Sequence, residues 1–86
     1  MKTIWKYRVA EVYNNLEVPE AAVPLTVQMQ DDEPQMWLLV DPEAPKEKRR
    51  FNIYGTGWEM PNWPGNYVGT WQDGSFVFHV FDMGAV

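Results

Sequence analysis

The chain has 86 residues, no cysteine, 45% hydrophobic and 15% aromatic residues, and a formal net charge of -5. A single domain, 1–86, without disulfides must hold itself by packing, and with only about 5 kcal/mol of net stability each large aromatic counts. The acidic balance argues against general nucleic-acid binding, which needs several clustered cations, and leaves room for a basic protein partner.

Lys6 and Arg8 interrupt any signal-type apolar run near the start. No stretch approaches the roughly 20 apolar residues of a membrane span, so a soluble protein with no membrane contact is expected. Absence of cysteine fits the cytoplasm. All Lys and Arg residues lie in two places, Lys2 to Arg8 and Lys46 to Arg50.

Thr3 to Ala10 alternates, with Trp5, Tyr7 and Val9 on one face and Lys6 and Arg8 on the other. This period of two marks a half-buried strand. Asn14-Asn15 reads as a turn, Leu16 to Val18 as a short extended piece, and Pro19 to Ala22 as a single helical turn. Leu25 to Gln30 is a second clean strand, and Asp31 to Pro34 a turn. Gln35 to Val40 is apolar on both faces, the mark of a strand that is central or covered on both sides.

Asp41 to Lys48, twice broken by proline, reads as a surface connection. Arg49 to Gly55 is the next strand, and a Gly/Pro/Trp-rich link runs to Gly65. Asn66 to Trp71 alternates again. Asp73-Gly74 signals a hairpin, because both residues tolerate positive φ, and it leads into Ser75 to Asp82. That last strand carries Phe76, Phe78 and Val80 on one face and Val77, His79 and Phe81 on the other. About six strands with short turns predict an all-β domain, a small antiparallel β-sandwich or a partly open barrel. Apolar residues on both faces of two strands also allow a homo-oligomer that covers one of them.

Candidate chemistry is sparse. Gly55-Thr56-Gly57 lacks the Lys-Ser/Thr pair and the following helix of a phosphate loop. His79 is the only histidine; with no cysteine it suggests no metal site, and its expected role is structural. Asp41 and Glu43 lie on a proline-broken link with nothing to shift their acidity. No catalytic set and no cofactor motif emerges.

Trp58 and Trp63 are the best lead: each either caps the open end of the core or anchors an interface, with capping preferred. Together with Tyr54, and with Arg49 and Arg50 as contacts for an anionic group, they form the candidate binding set. The first reading is a non-enzymatic binding protein that uses the Gly55–Gly65 surface. The alternative is a small-molecule or nucleotide-binding module with tryptophan stacking and Arg49 or Arg50 on the anion. An enzyme using His79 with a carboxylate ranks last.

Five segments carry a resemblance: Met1 to Tyr7 (MKTIWKY), Val40 to Ala44 (VDPEA), Lys46 to Arg49 (KEKR), Ile53 to Gly57 (IYGTG) and Val77 to Phe81 (VFHVF). They span nearly the whole chain, and in this combination the chain resembles a family of small uncharacterised proteins of bacteriophages and prophage-carrying bacteria. The resemblance implies a phage or prophage origin, a bacterial host's cytoplasm, and a host protein as partner. It implies no activity. The chain departs from the family pattern in having Trp58 where a histidine follows Gly-Thr-Gly, and in lacking a glycine near Ala21.

Overall fold

The computed structural model describes residues 1–86. It is all-β, with seven strands: β1 (Thr3–Arg8), β2 (Tyr13–Pro19), β3 (Val23–Gln30), β4 (Glu33–Val40), β5 (Lys46–Gly55), β6 (Asn66–Asp73) and β7 (Phe76–Ala85). They form a three-stranded sheet, β1-β4-β3, and a four-stranded sheet, β2-β5-β7-β6, with every pairing antiparallel. The sheets are not closed into a barrel, so the architecture is a small β-sandwich. No helix is long and apolar enough to cross a membrane.

Both strands that are apolar on two faces lie inside their sheets, β4 between β1 and β3, and β7 between β5 and β6. Their inner residues Met36, Leu38, Val40 and Val80 meet Val18, Val27, Phe51 and Ile53 in the common core. The outer face of β4 has no second layer: Leu39 stands in one cross-strand row with Ile4 and Val23, both about half exposed. The sheets come closest where β3 meets β6. A Cβ on Gly69 would lie 2.9 Å from Val27 Cγ1, so a glycine is needed there.

Five local expectations are corrected. Asn14-Asn15 is not a turn but part of β2, where Asn14 is buried: its amide donates to the Glu11 and Phe51 carbonyls and accepts from the Glu11 N–H. These bonds satisfy a polar side chain that would otherwise favour a turn. Pro19 to Ala22 makes no helical turn; β2 runs through Pro19 and the chain reverses with Ala21 at φ 61. The Asp41–Lys48 connection is shorter, because β5 begins at Lys46. The last hairpin turns on Gly74-Ser75, with φ 61 at Gly74, and not on Asp73-Gly74. That pattern is a II′ turn, which asks for glycine only at its first central position. The β3–β4 hairpin turns on Asp31-Asp32 alone, both at positive φ (53 and 63), as a I′ turn requires.

At the end of the sandwich where β5 begins, Arg49 points inward. It is 7% exposed, and its guanidinium donates to the Asp82 carboxylate on β7 and, at 2.6 Å, to the Ala22 carbonyl in the β2–β3 link. Glu47 lies 3.9 Å away and the Phe51 ring sits beneath the guanidinium. The second Asp82 oxygen accepts from the Gly84 N–H at 2.9 Å, where the β5–β7 register shifts. One buried ion pair thus joins three parts of the chain.

Removing one partner leaves the other charge buried and unpaired, which costs about 3–5 kcal/mol. Arg49→Met is expected to lose that much in urea unfolding, and the double substitution Arg49→Met/Asp82→Leu to recover most of it. Burial also pushes the Tyr7 hydroxyl above its ordinary pKa of 10.0. The folded state therefore holds the proton longer than the unfolded chain. The contribution of Tyr7 to stability is level below about pH 10 and falls as pH rises from the unfolded towards the folded value. Tyr7→Phe should flatten that alkaline decline, as measured by urea midpoints between about pH 9 and 11.

Candidate functional site

The site begins with a topological demand. β5 and β6 are both antiparallel to β7, and so parallel to each other. β5 ends with Gly55 opposite Phe78, whereas β6 starts with Asn66 opposite Asp82. The link Thr56–Gly65 must therefore carry the chain back about 13 Å along β7. It is a return connection, too long for a tight turn: Trp58, near its start, lies at the end of the sandwich opposite the Arg49–Asp82 pair, while its last residue, Gly65, comes against the Asp82 backbone.

Trp58 turns back at once. Its N–H donates to the Gly55 carbonyl at 3.1 Å, and its ring lies over Gly55, where an added Cβ would be 2.6 Å from Cε2. Its other neighbour is Phe78, edge-on at 6.1 Å between ring centroids. Phe78 also packs on Trp71 at 5.4 Å and beneath Phe76 at 6.4 Å. β5 stops at the level of Phe78, so Phe76, two residues earlier on β7, has no β5 neighbour and stays 68% exposed.

Two adjoining clefts result. One, of about 420 Å³, lies among Gly55, Thr56, Trp58, Phe76 and Phe78. The other, of about 260 Å³, opens between the sheets and is lined by Val9, Glu11, Pro34, Trp58, Trp71 and Asp73, among others. Trp58 and Phe78 wall both.

Of the expected binding residues, only Trp58 belongs to these clefts. It is half exposed, covering Gly55 and Phe78 with one part of its ring and offering the rest to solvent. Trp63 is 62% exposed and lines neither cleft. Tyr54 is packed, edge-on against Phe81 at 5.8 Å, with its hydroxyl accepting from Asn52 Nδ2. Arg49 is withdrawn into the ion pair, and the exposed Arg50 donates to Asn15 Oδ1 at 3.1 Å. Both arginines lie about 17–20 Å down β5 from Gly55. The five residues do not assemble into one site.

Phe76 and Ser75 are the wall residues that alternation alone assigned to a core strand. The signal that marks them is the mismatch between the end of β5 and the start of β7.

His79 stands beside the larger cleft, on the outer face of the four-stranded sheet, and both its ring nitrogens are bound by hydroxyls. Thr56 Oγ1 is 2.8 Å from Nε2 and Thr70 Oγ1 is 2.9 Å from Nδ1, with Tyr67 OH 2.6 Å beyond Thr70. Thr56 Oγ1 also lies 3.4 Å from the Val77 carbonyl; with Thr56 donating there, Nε2–H would donate to Thr56, and Nδ1 would accept from Thr70 and Thr70 from Tyr67. The partners of the imidazole are threonines, not a carboxylate.

Charge is distributed unevenly around the clefts. Glu11 and Asp73 line the smaller cleft, Glu59 adjoins Trp58, and Asp31-Asp32 form the turn just before Pro34. None of these five carboxylates makes an ion pair; the paired ones are Glu33, Glu47 and Asp82. The cations near this end, Arg8 and Lys6, are held by Glu33 at 3.1 Å and by Gln30 at 2.7 Å.

A family model described as a domain of unknown function, DUF7352, matches residues 1–85. The chain belongs to that family. No curated protein and no solved structure matches it. As a DUF7352 domain, the chain places Trp58, Trp71, Phe76 and Phe78 around clefts at one end and its buried ion pair at the other.

Gly55→Ala drives a methyl group into the Trp58 ring and should cost about 1–3 kcal/mol in urea unfolding, as overpacking does. In a Trp58→Ala background the same change should cost less than about 0.5 kcal/mol, because the clash has gone.

Proposed function

We propose that this protein is a non-enzymatic binding domain of phage origin whose aromatic end engages a host protein. One observation carries the reading: Trp58 and Phe76, 50% and 68% exposed, face a cleft of about 420 Å³ at the end of a rigid sandwich. Large aromatics held in place and left half open are the residues that anchor protein interfaces. The phage setting rests on the sequence resemblance and makes a host factor the natural partner.

A second reading, a small-molecule module, draws on the cleft volume, which falls within the usual range for ligand sites. Its anion-holding part is weakened, because Arg49 and Arg50 lie at the far end of β5. A neutral planar ligand stacked on Trp58 is what remains of it.

Affinity capture with the tagged protein distinguishes the two. Trp58→Ala and Phe76→Ala should each lose the captured host protein while keeping the wild-type circular dichroism spectrum. Undiminished capture by both variants would overturn the interface reading. The small-molecule reading instead expects a thermal shift with a stacking ligand, worth about 2.7 kcal/mol at 100 times its Kd.

A further inference from the structure

Resting on the binding reading above, we propose that the aromatic end takes a cationic polypeptide segment, one that carries several Lys or Arg side chains. Two independent features of this end converge on that chemistry. The first is the exposed aromatic pair. A Trp face attracts an ammonium or guanidinium group within about 6 Å, and Trp58 and Phe76 both present free ring surface at the larger cleft.

The second is charge. Glu11 and Asp73 line the smaller cleft, Glu59 follows Trp58 in the chain and Asp31-Asp32 lie in the turn just before Pro34, and none of the five has an ion-pair partner. On the neighbouring face Arg8 is paired with Glu33, while Lys6 bonds the neutral Gln30 and keeps its charge, so the unpaired carboxylates outnumber the unpaired cation. From Phe51 to Val86 the chain has no Lys or Arg. The end is therefore net negative, and it repels nucleic acid and other polyanions.

The spread of these carboxylates selects a polypeptide over a small cation. They come from four separate places: the β1–β2 link, the β3–β4 turn, the β5–β6 link and the end of β6. A single ammonium in the cleft meets at most one or two of them. A chain with cations every few residues meets them in succession, with one side chain against Trp58 and others along the rim. Such pairing across a rim speeds association and sets specificity.

The test is fluorescence polarisation with three labelled decapeptides of equal length: one rich in Lys and Arg, one rich in Asp and Glu, and one built from Ser, Gly and Gln. The cationic peptide should bind the wild-type protein and weaken steeply as salt rises. The triple variant Glu11→Gln/Glu59→Gln/Asp73→Asn should lose at least about tenfold in affinity, or about 1.4 kcal/mol, and Trp58→Ala should lose a comparable amount. Circular dichroism should show both variants folded, since all four side chains are exposed.

Absence of cationic-peptide binding, equal binding of the neutral or acidic peptide, or full affinity in the triple variant would each overturn the proposal. Capture of a host protein separates this failure from failure of the binding reading. A partner lost on Trp58→Ala but kept by the triple variant sinks the cationic segment alone. A partner kept by Trp58→Ala and Phe76→Ala alike sinks both.

Discussion

The ion pair between Arg49 and Asp82 is the constraint from which the rest of the sandwich takes its shape. Two charges drawn from water must be fully satisfied, or the penalty exceeds their attraction. Here the satisfaction comes from three directions. The guanidinium reaches Asp82 on β7 and the Ala22 carbonyl between the sheets, and the second Asp82 oxygen holds the Gly84 N–H at the bulge. The pair therefore fixes the β5–β7 register at one end and ties in the link that carries the chain from one sheet to the other. The outer hydrogen bonds of the same end, Glu20 N–H to Pro45 and Val86 N–H to Lys48, complete the closure.

With one end closed by polar bonds, the other end is left to aromatics. β5 runs out at Gly55 while β7 begins two residues beyond its last partner, so Phe76 overhangs. The parallel relation of β5 and β6 forces a long link through the same region, and Trp58 on that link reaches only far enough to cover Gly55 and Phe78. Lid and contact surface are thus not alternatives for this tryptophan. The same ring does the first with its inner part and leaves its outer part free.

Much of the frame was legible. Alternation located the cores of β1, β3, β4, β5, β6 and β7, and the apolar outer faces of β4 and β7 marked them as interior strands. What escaped reading depends on partners distant in the chain. Asn14 favours a turn by itself and becomes a strand residue only because the Phe51 carbonyl is there to accept from it. Arg49, a surface residue by type, turns inward because Asp82 waits across the sheet. Grouping Arg49 and Arg50 with Trp58 failed for a simpler reason, since residues near in sequence along an extended strand are far apart in space. Phe76 read as core because alternation says which face a residue takes, not where the neighbouring strand stops.

The pairing order has a consequence for how the chain reaches this state. β1 pairs with β4 and β2 with β5, so neither of the first two strands has a partner next to it in sequence. Only the β3–β4 and β6–β7 hairpins, closed by Asp31-Asp32 and Gly74-Ser75, can form from local contacts. Everything else waits for distant segments to meet, at the cost of closing long loops. Small sandwiches of this kind fold in milliseconds to seconds, not microseconds. In that interval β1 and β2 are unpaired edges, and a newly made chain is most exposed to aggregation before β5 has been delivered.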